Sequence, residues 1–213
     1  MIETLPILAI GFALGMGHAT DADHVAAVTT IVSRERAVGR AASIGALWGI
    51  GHTATIVLVG GAIILFNLVI PPRLGLALEF AVALMLITLG IVTLRARDDS
   101  GVERSPMRPV GVGFVHGLAG SAFVAMLVLQ TIPSPAAGVL YLLIFGIGTI
   151  AGMALVTTAI AVPSAYAASK VIAMRRYIRL GAGALSIIFG VLLAHEVGIT
   201  GGLFTGDVQW TPH

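Results

Sequence analysis

Residues 5–32 read LPILAIGFALGMGHATDADHVAAVTTIV, an apolar run of membrane-spanning length with His18, Asp21, Asp23 and His24 set into seven consecutive positions. An aspartate at a bilayer centre costs about 2.5–3.5 kcal/mol on insertion scales, and two cost roughly 5–7 kcal/mol before any partner is counted. The stretch therefore needs a compensating cation, a proton or a polar cavity. A polar cluster that merely ties helices together by hydrogen bonds is the competing explanation. Because ionisable groups at this depth are functional by default, the expectation is a divalent transition-metal ion in transit.

Composition sets the class. The chain is 57% hydrophobic and 10% charged, with a mean hydropathy of +1.02, which excludes a water-soluble globular fold. The 213 residues contain no cysteine, so thiolate ligands and disulfides are excluded and a metal must be held by imidazole, carboxylate, carbonyl or water oxygen. A net charge of +2 gives no reason to expect nucleic acid. Met1-Ile2-Glu3 lacks the basic start of a secretory signal, so the first apolar run is expected to be kept as a span.

Six apolar segments, near 5–32, 41–70, 74–95, 109–131, 136–162 and 177–197, are each long enough for about 30 Å of hydrocarbon. Pro71-Pro72 separates the second from the third, and Pro133 and Pro135 the fourth from the fifth. Of the 12 Lys and Arg, all but Arg73 fall in the loops after spans one, three and five: Arg34, Arg36, Arg40; Arg95, Arg97, Arg104, Arg108; Lys170, Arg175, Arg176, Arg179. The positive-inside rule puts those loops in the cytoplasm and both termini outside.

An internal repeat is visible. Gly49-Ile-Gly51 recurs as Gly146-Ile-Gly148, and Ala54, Leu58, Val59, Ala62 and Ile63 meet Ala151, Leu155, Val156, Ala159 and Ile160 at the same spacing. His18 pairs at nearly that spacing with His116, and Leu89-Gly90-Ile91 resembles Phe189-Gly190-Val191. Three spans is an odd number, so the halves are expected to be inverted, with a substrate site at their interface near the midplane. The fold expected is an all-α polytopic membrane protein in a cell membrane. Its parts are a three-helix repeat over 1–97, a cytoplasmic linker over 98–108, a second repeat over 109–198 and an extracytoplasmic tail over 199–213.

At about 100° per residue, His18, Asp21 and His24 share a face of roughly 120°, while Asp23 points roughly 140° away from His18. A straight helix cannot gather all four. Either the helix is locally unwound, or Asp23 orients a ligand from behind, as carboxylates do for metal-bound histidines. Two more imidazoles sit inside spans: His52 after Trp48-Gly-Ile-Gly51, and His116 before Gly117-Leu-Ala-Gly-Ser121. Taken singly, each is readily an interhelical hydrogen-bonder; taken with span one, they point to a metal path. Thr53, Thr55, Ser121 and Thr149 either polarise a cavity or are helix-packing hydroxyls. Glu79 reaches the outer interface or serves as an entry carboxylate, and His195, Glu196, Asp207 and His213 are interfacial or solvated on the outer side, or help collect metal there.

At His18-x4-Asp23-His24 the sequence resembles the nickel/cobalt transporter family, whose signature is His-x4-Asp-His in a transmembrane helix. Gly17-His-Ala-Thr-Asp-Ala-Asp-His-Val25 is similar to that family's His-Ala-Phe/Val-Asp-Ala-Asp-His-Ile run, and Gly51-His52-Thr53 to its second Gly-His-Ser/Thr element. Val115-His116-Gly-Leu-Ala-Gly-Ser-Ala122 resembles the short, six-span urease-accessory branch. The chain departs from the larger members, which have eight spans and a later Leu-Gly-x-Asp-Thr-Ala-Thr-Glu element. The resemblance implies uptake of Ni(II) or Co(II), carried as cargo with no permanently bound cofactor. It places His18, Asp21, Asp23 and His24 in the metal path, and it implies nickel-enzyme maturation proteins as partners inside the cell. With His52 and His116 added from the residues themselves, the expected metal set has six members. The rival expectations are an intramembrane zinc hydrolase, with three ligands and an activated water, and a metal exporter of the same architecture.

Overall fold

The computed structural model describes residues 4–33, 35, 37–96, 105–132, 134–170, 172–206 and 208–210. The described residues form helices joined by short turns. They are α1 (Thr4–His18), α2 (Ala22–Val32), α3 (Val38–Thr55), α4 (Gly61–Phe66), α5 (Pro72–Arg95), α6 (Met107–Thr131), α7 (Pro135–Lys170) and α8 (Ile172–His195). A π turn, Ile56–Gly60, carries α3 into α4 without a break, and another, Glu196–Thr200, closes α8. Among the described residues, four stretches are long and apolar enough to cross a membrane: Val38–Phe66, Pro72–Arg95, Pro135–Pro163 and Arg176–Thr200. This is a helical membrane protein.

The first expected span is not one helix. Helix α1 has 15 residues and α2 has 11, about 22 and 16 Å long, so neither alone crosses 30 Å of hydrocarbon. The break has a local cause. Thr20 turns its hydroxyl back to the Gly17 carbonyl at 2.6 Å, and Asp21 adopts an extended backbone (φ −60°, ψ 146°) before α2 begins. Short polar side chains that bond their own backbone compete with the helical ladder in this way.

Other boundaries also moved. The second span starts at Val38 and stops at Phe66, where Asn67 takes a left-handed conformation (φ 50°). Helix α7 continues through Pro163 to Lys170, so the expected basic loop after span five is helical at its described positions. Arg179, placed in that loop by the sequence, lies buried within α8 and donates from Nη1 to the Ala96 carbonyl beyond α5. Arg34, Arg36, Pro133, Asp207, His213 and linker residues 97–104 lie outside the described residues.

Helix α3 packs on α6 and α7, α1 packs on α7, and α5 packs on α8. Exchanging α1 with α6, α3 with α7 and α5 with α8 leaves this set of pairings unchanged. The correspondence extends to single residues. A Cβ at Gly15 would strike the Phe145 carbonyl, as one at Gly113 would strike that of Trp48. Gly51 abuts the Val110 carbonyl as Gly148 abuts that of Phe12. These partners are related by the offsets that relate Gly51 to Gly148 and His18 to His116. Small residues let helix backbones approach closely where lipid supplies no hydrophobic driving force.

Candidate metal centre

The break between α1 and α2 faces α3 and α6, and all six residues singled out in the sequence line one cavity of about 670 Å³. His18 ends α1, Asp23 and His24 lie in the first turn of α2, His52 is in the last turn of α3 just before its π turn, and His116 is in α6. His24, His52 and His116 are buried, Asp23 is half-buried and Asp21 is exposed. Breaking the helix answers the angular problem, since residues on either side of the turn no longer obey one 100° progression.

Carboxylates held by imidazoles orient the rings. Asp21 Oδ2 lies 2.7 Å from His18 Nδ1, Asp23 Oδ1 lies 3.0 Å from His24 Nδ1, and Asp23 Oδ2 lies 2.8 Å from His116 Nε2. An ionised carboxylate only accepts, so the ring nitrogen facing it carries the proton and the other nitrogen of a neutral ring carries the lone pair. His24 Nε2 and His116 Nδ1 are those other nitrogens, and both are buried without a partner among the described residues. His18 Nε2 meets His52 Nε2 at 3.1 Å, which leaves His52 Nδ1 also buried and unpartnered. Two nitrogens bound to one ion at about 2.0–2.1 Å would stand roughly 2.9–3.4 Å apart, from right-angled to tetrahedral, so the His18–His52 pair already has a ligand spacing.

Asp21 occupies the N-cap of α2 yet makes no side-chain cap bond; its carboxylate goes to His18 instead. Asp23 keeps the first-turn role, with Oδ1 accepting the His24 backbone N–H at 2.9 Å, where the positive end of the helix dipole favours an anion. Of the two alternatives the sequence offered, the structure shows the break in the helix just before Asp23, and it places the Asp23 carboxylate against His24 and His116.

The cavity wall adds residues that the sequence left open. Glu79 of α5 and Glu196 of the closing π turn line it, together with apolar Val82, Leu86, Phe189 and Leu193. Trp210 of the tail donates from Nε1 to Glu79 at 2.8 Å, so the segment after α8 folds back to this mouth. Trp48 stacks on His24, with ring centroids 5.8 Å apart and planes 17° apart. Sequence reasoning passed over Trp48 as a contact, although it lies one helical turn before His52. The hydroxyls have packing roles: Thr53 donates to the Gly146 carbonyl, Thr55 to those of Gly51 and Phe114, and Thr149 to that of Phe145. The Ser121 side chain lies outside the described residues, and His195 is exposed.

Fold and site together define a helical membrane protein with a buried histidine–aspartate centre able to hold a metal. No family model and no solved structure matches the chain. It is 34% identical to the urease accessory protein UreH of Bacillus sp. (strain TB-90), over 95% of this chain and 96% of that protein. It is also 29% identical over 176 residues to the chloroplast protein FOR GROWTH AND FERTILITY 2 of Arabidopsis thaliana, covering 71% of this chain and 46% of that protein. The chain belongs to the UreH-like family.

Proposed function

We propose that this protein transports Ni(II) or Co(II) across the cell membrane, in the direction of uptake, through the six-residue centre. The observation that carries the reading is the convergence of four imidazoles and Asp23 from α1, α2, α3 and α6, with three buried ring nitrogens lacking a partner among the described residues. Nitrogen and oxygen donors without sulfur suit Ni(II) and Co(II). The kinship with a urease accessory protein supports a nickel-related role. Its cargo would link the protein to intracellular nickel-enzyme maturation.

In this reading α1 and α2 cross the bilayer jointly, giving six spans arranged as two inverted three-helix repeats. The exchange symmetry of the helix pairings supports the repeat. Both termini would lie outside. Arg40 and Arg108 share a separate cavity of about 250 Å³ with Thr30 and Thr93, as expected of a basic cytoplasmic end. Glu79, Glu196 and Asp21 gather on the metal-site cavity, as expected of a cation entrance. A discontinuous span at the repeat interface is a recurrent way to build a transport site.

The test is uptake of radioactive nickel into cells or vesicles. His18→Ala and Asp23→Ala are expected to reduce it to background, and undiminished uptake in both would end this reading. Growth in toxic nickel fixes direction, because an importer sensitises cells and an exporter protects them.

A further inference from the structure

The six residues do not form one ring of ligands. Five of them resolve into two triads, His18/His24/His52 and Asp23/His24/His116, and within each the ligand atoms lie within 4.8 Å of one another. His24 belongs to both. Its ring centroid is 4.5 Å from that of His18 and 4.1 Å from that of His116, while the His52 and His116 rings stand 5.9 Å apart. His24 Nδ1 faces Asp23, and Nε2 on the other side of the ring is buried without a partner. A neutral imidazole has one lone pair and so binds one metal ion at a time.

We propose that the triads are two mutually exclusive stations for a single transported dication, with His24 as the ligand they share. The inference rests on the transport reading above. In the first station the ion takes Nε2 of His18, His24 and His52, the His52 proton having passed from Nε2 to Nδ1, while the proton on His24 Nδ1 stays against Asp23. In the second it takes a carboxylate oxygen of Asp23, Nδ1 of His24 and Nε2 of His116. Bonds to His18 and His52 are exchanged for bonds to Asp23 and His116. The proton on His24 Nδ1 passes to Nε2, and that on His116 Nε2 passes to Nδ1, a nitrogen that has no other partner. Each ring keeps one proton, so the exchange balances without an outside acid or base.

The stations differ in which part of the chain they engage. The first is built wholly from α1, α2 and α3, whereas the second adds His116 of α6, from the other half of the repeat. An ion that reaches the second station therefore ties the two halves together, which couples its position to the packing of one half on the other. Filling one station removes His24 from the other, so a second ion cannot follow until the first has left.

The test uses the full chain purified in detergent, titrated with Co(II) in a calorimeter, with imidazole ligands counted by X-ray absorption. The wild type is expected to bind one ion per chain. His52→Gln and His116→Gln are each expected to bind one ion, the former through two imidazoles and a carboxylate and the latter through three imidazoles. That retained binding also shows that both variants fold. His24→Gln and the double variant His52→Gln/His116→Gln should each lose at least a hundredfold in affinity, and both single variants should lose nickel uptake in vesicles. Two ions per wild-type chain, or wild-type affinity in His24→Gln, would overturn the shared ligand. Wild-type uptake that persists in His116→Gln would overturn the second station and leave transport standing. The expected binding pattern without any wild-type uptake would overturn transport and leave the shared ligand established.

Discussion

The α1–α2 segment and helix α6 occupy matching places in the packing and do different work there. Each presses a glycine against a carbonyl of its neighbour, Gly15 on Phe145 and Gly113 on Trp48, and each brings a histidine to the same cavity, His18 and His116. After His18 the chain reads Ala-Thr-Asp-Ala-Asp-His and the helix breaks; after His116 it reads Gly-Leu-Ala-Gly-Ser-Ala and the helix runs on to Thr131. Packing and chemistry are thus separable in this fold. Glycine faces set the approach of the helices in both halves, and the carboxylates were placed in one. Asp23 then spans the difference, since one oxygen holds His24 of its own helix and the other holds His116 of the matching one.

The comparison breaks most visibly at the carboxylates. Asp21→Asn keeps an acceptor near His18 but removes the charge that fixes the ring, and metal affinity measured by titration is expected to fall about 10–100-fold. An unchanged affinity would show that Asp21 is a solvated bystander. The carboxylate has no counterpart in α6, so no substitution after His116 should have an effect of this kind.

Glycine changes test the other side. Gly15→Ala and Gly113→Ala each drive a methyl group into a backbone carbonyl, and each should destabilise the protein by about 1–3 kcal/mol, read as a lowered Tm in detergent. Similar losses would sharpen the equivalence of the halves, and full tolerance of one would break it. The smallest effect expected is at Thr55, whose hydroxyl donates to the Phe114 carbonyl at 3.0 Å. Gly152, at the same offset from Thr55 as Gly148 from Gly51, meets the Met16 carbonyl with no side chain at all. Thr55→Val should cost about 1 kcal/mol, the usual net worth of one hydrogen bond, in the same thermal assay.

Much of the site could be read along the chain. The mismatch between Asp23 and the other three residues already required either an unwound helix or an orienting carboxylate, and the helix is broken there, with Asp23 in contact with His24 and His116. His52 and His116 could be suspected only jointly, since an isolated histidine in an apolar helix has an ordinary explanation. Glu79 and Glu196 could not be assigned from position, because 117 residues separate them in a chain where only folding brings α5 and the end of α8 to one cavity. Arg179 was misplaced for a related reason. Its charge suggested a loop, and the carbonyl that accepts its proton lies 83 residues away.

By itself the amino-acid sequence determined the helical membrane class and the presence of two acidic residues inside an apolar stretch, where they call for a partner. Those conclusions follow from local quantities: transfer cost, hydropathy and spacing. The tertiary structure decided which nitrogens face one another, which carboxylate oxygen holds which ring, and that five of these side chains fall into two overlapping triads. Such facts depend on the rotation and relative height of helices far apart in the chain, and helical periodicity fixes neither.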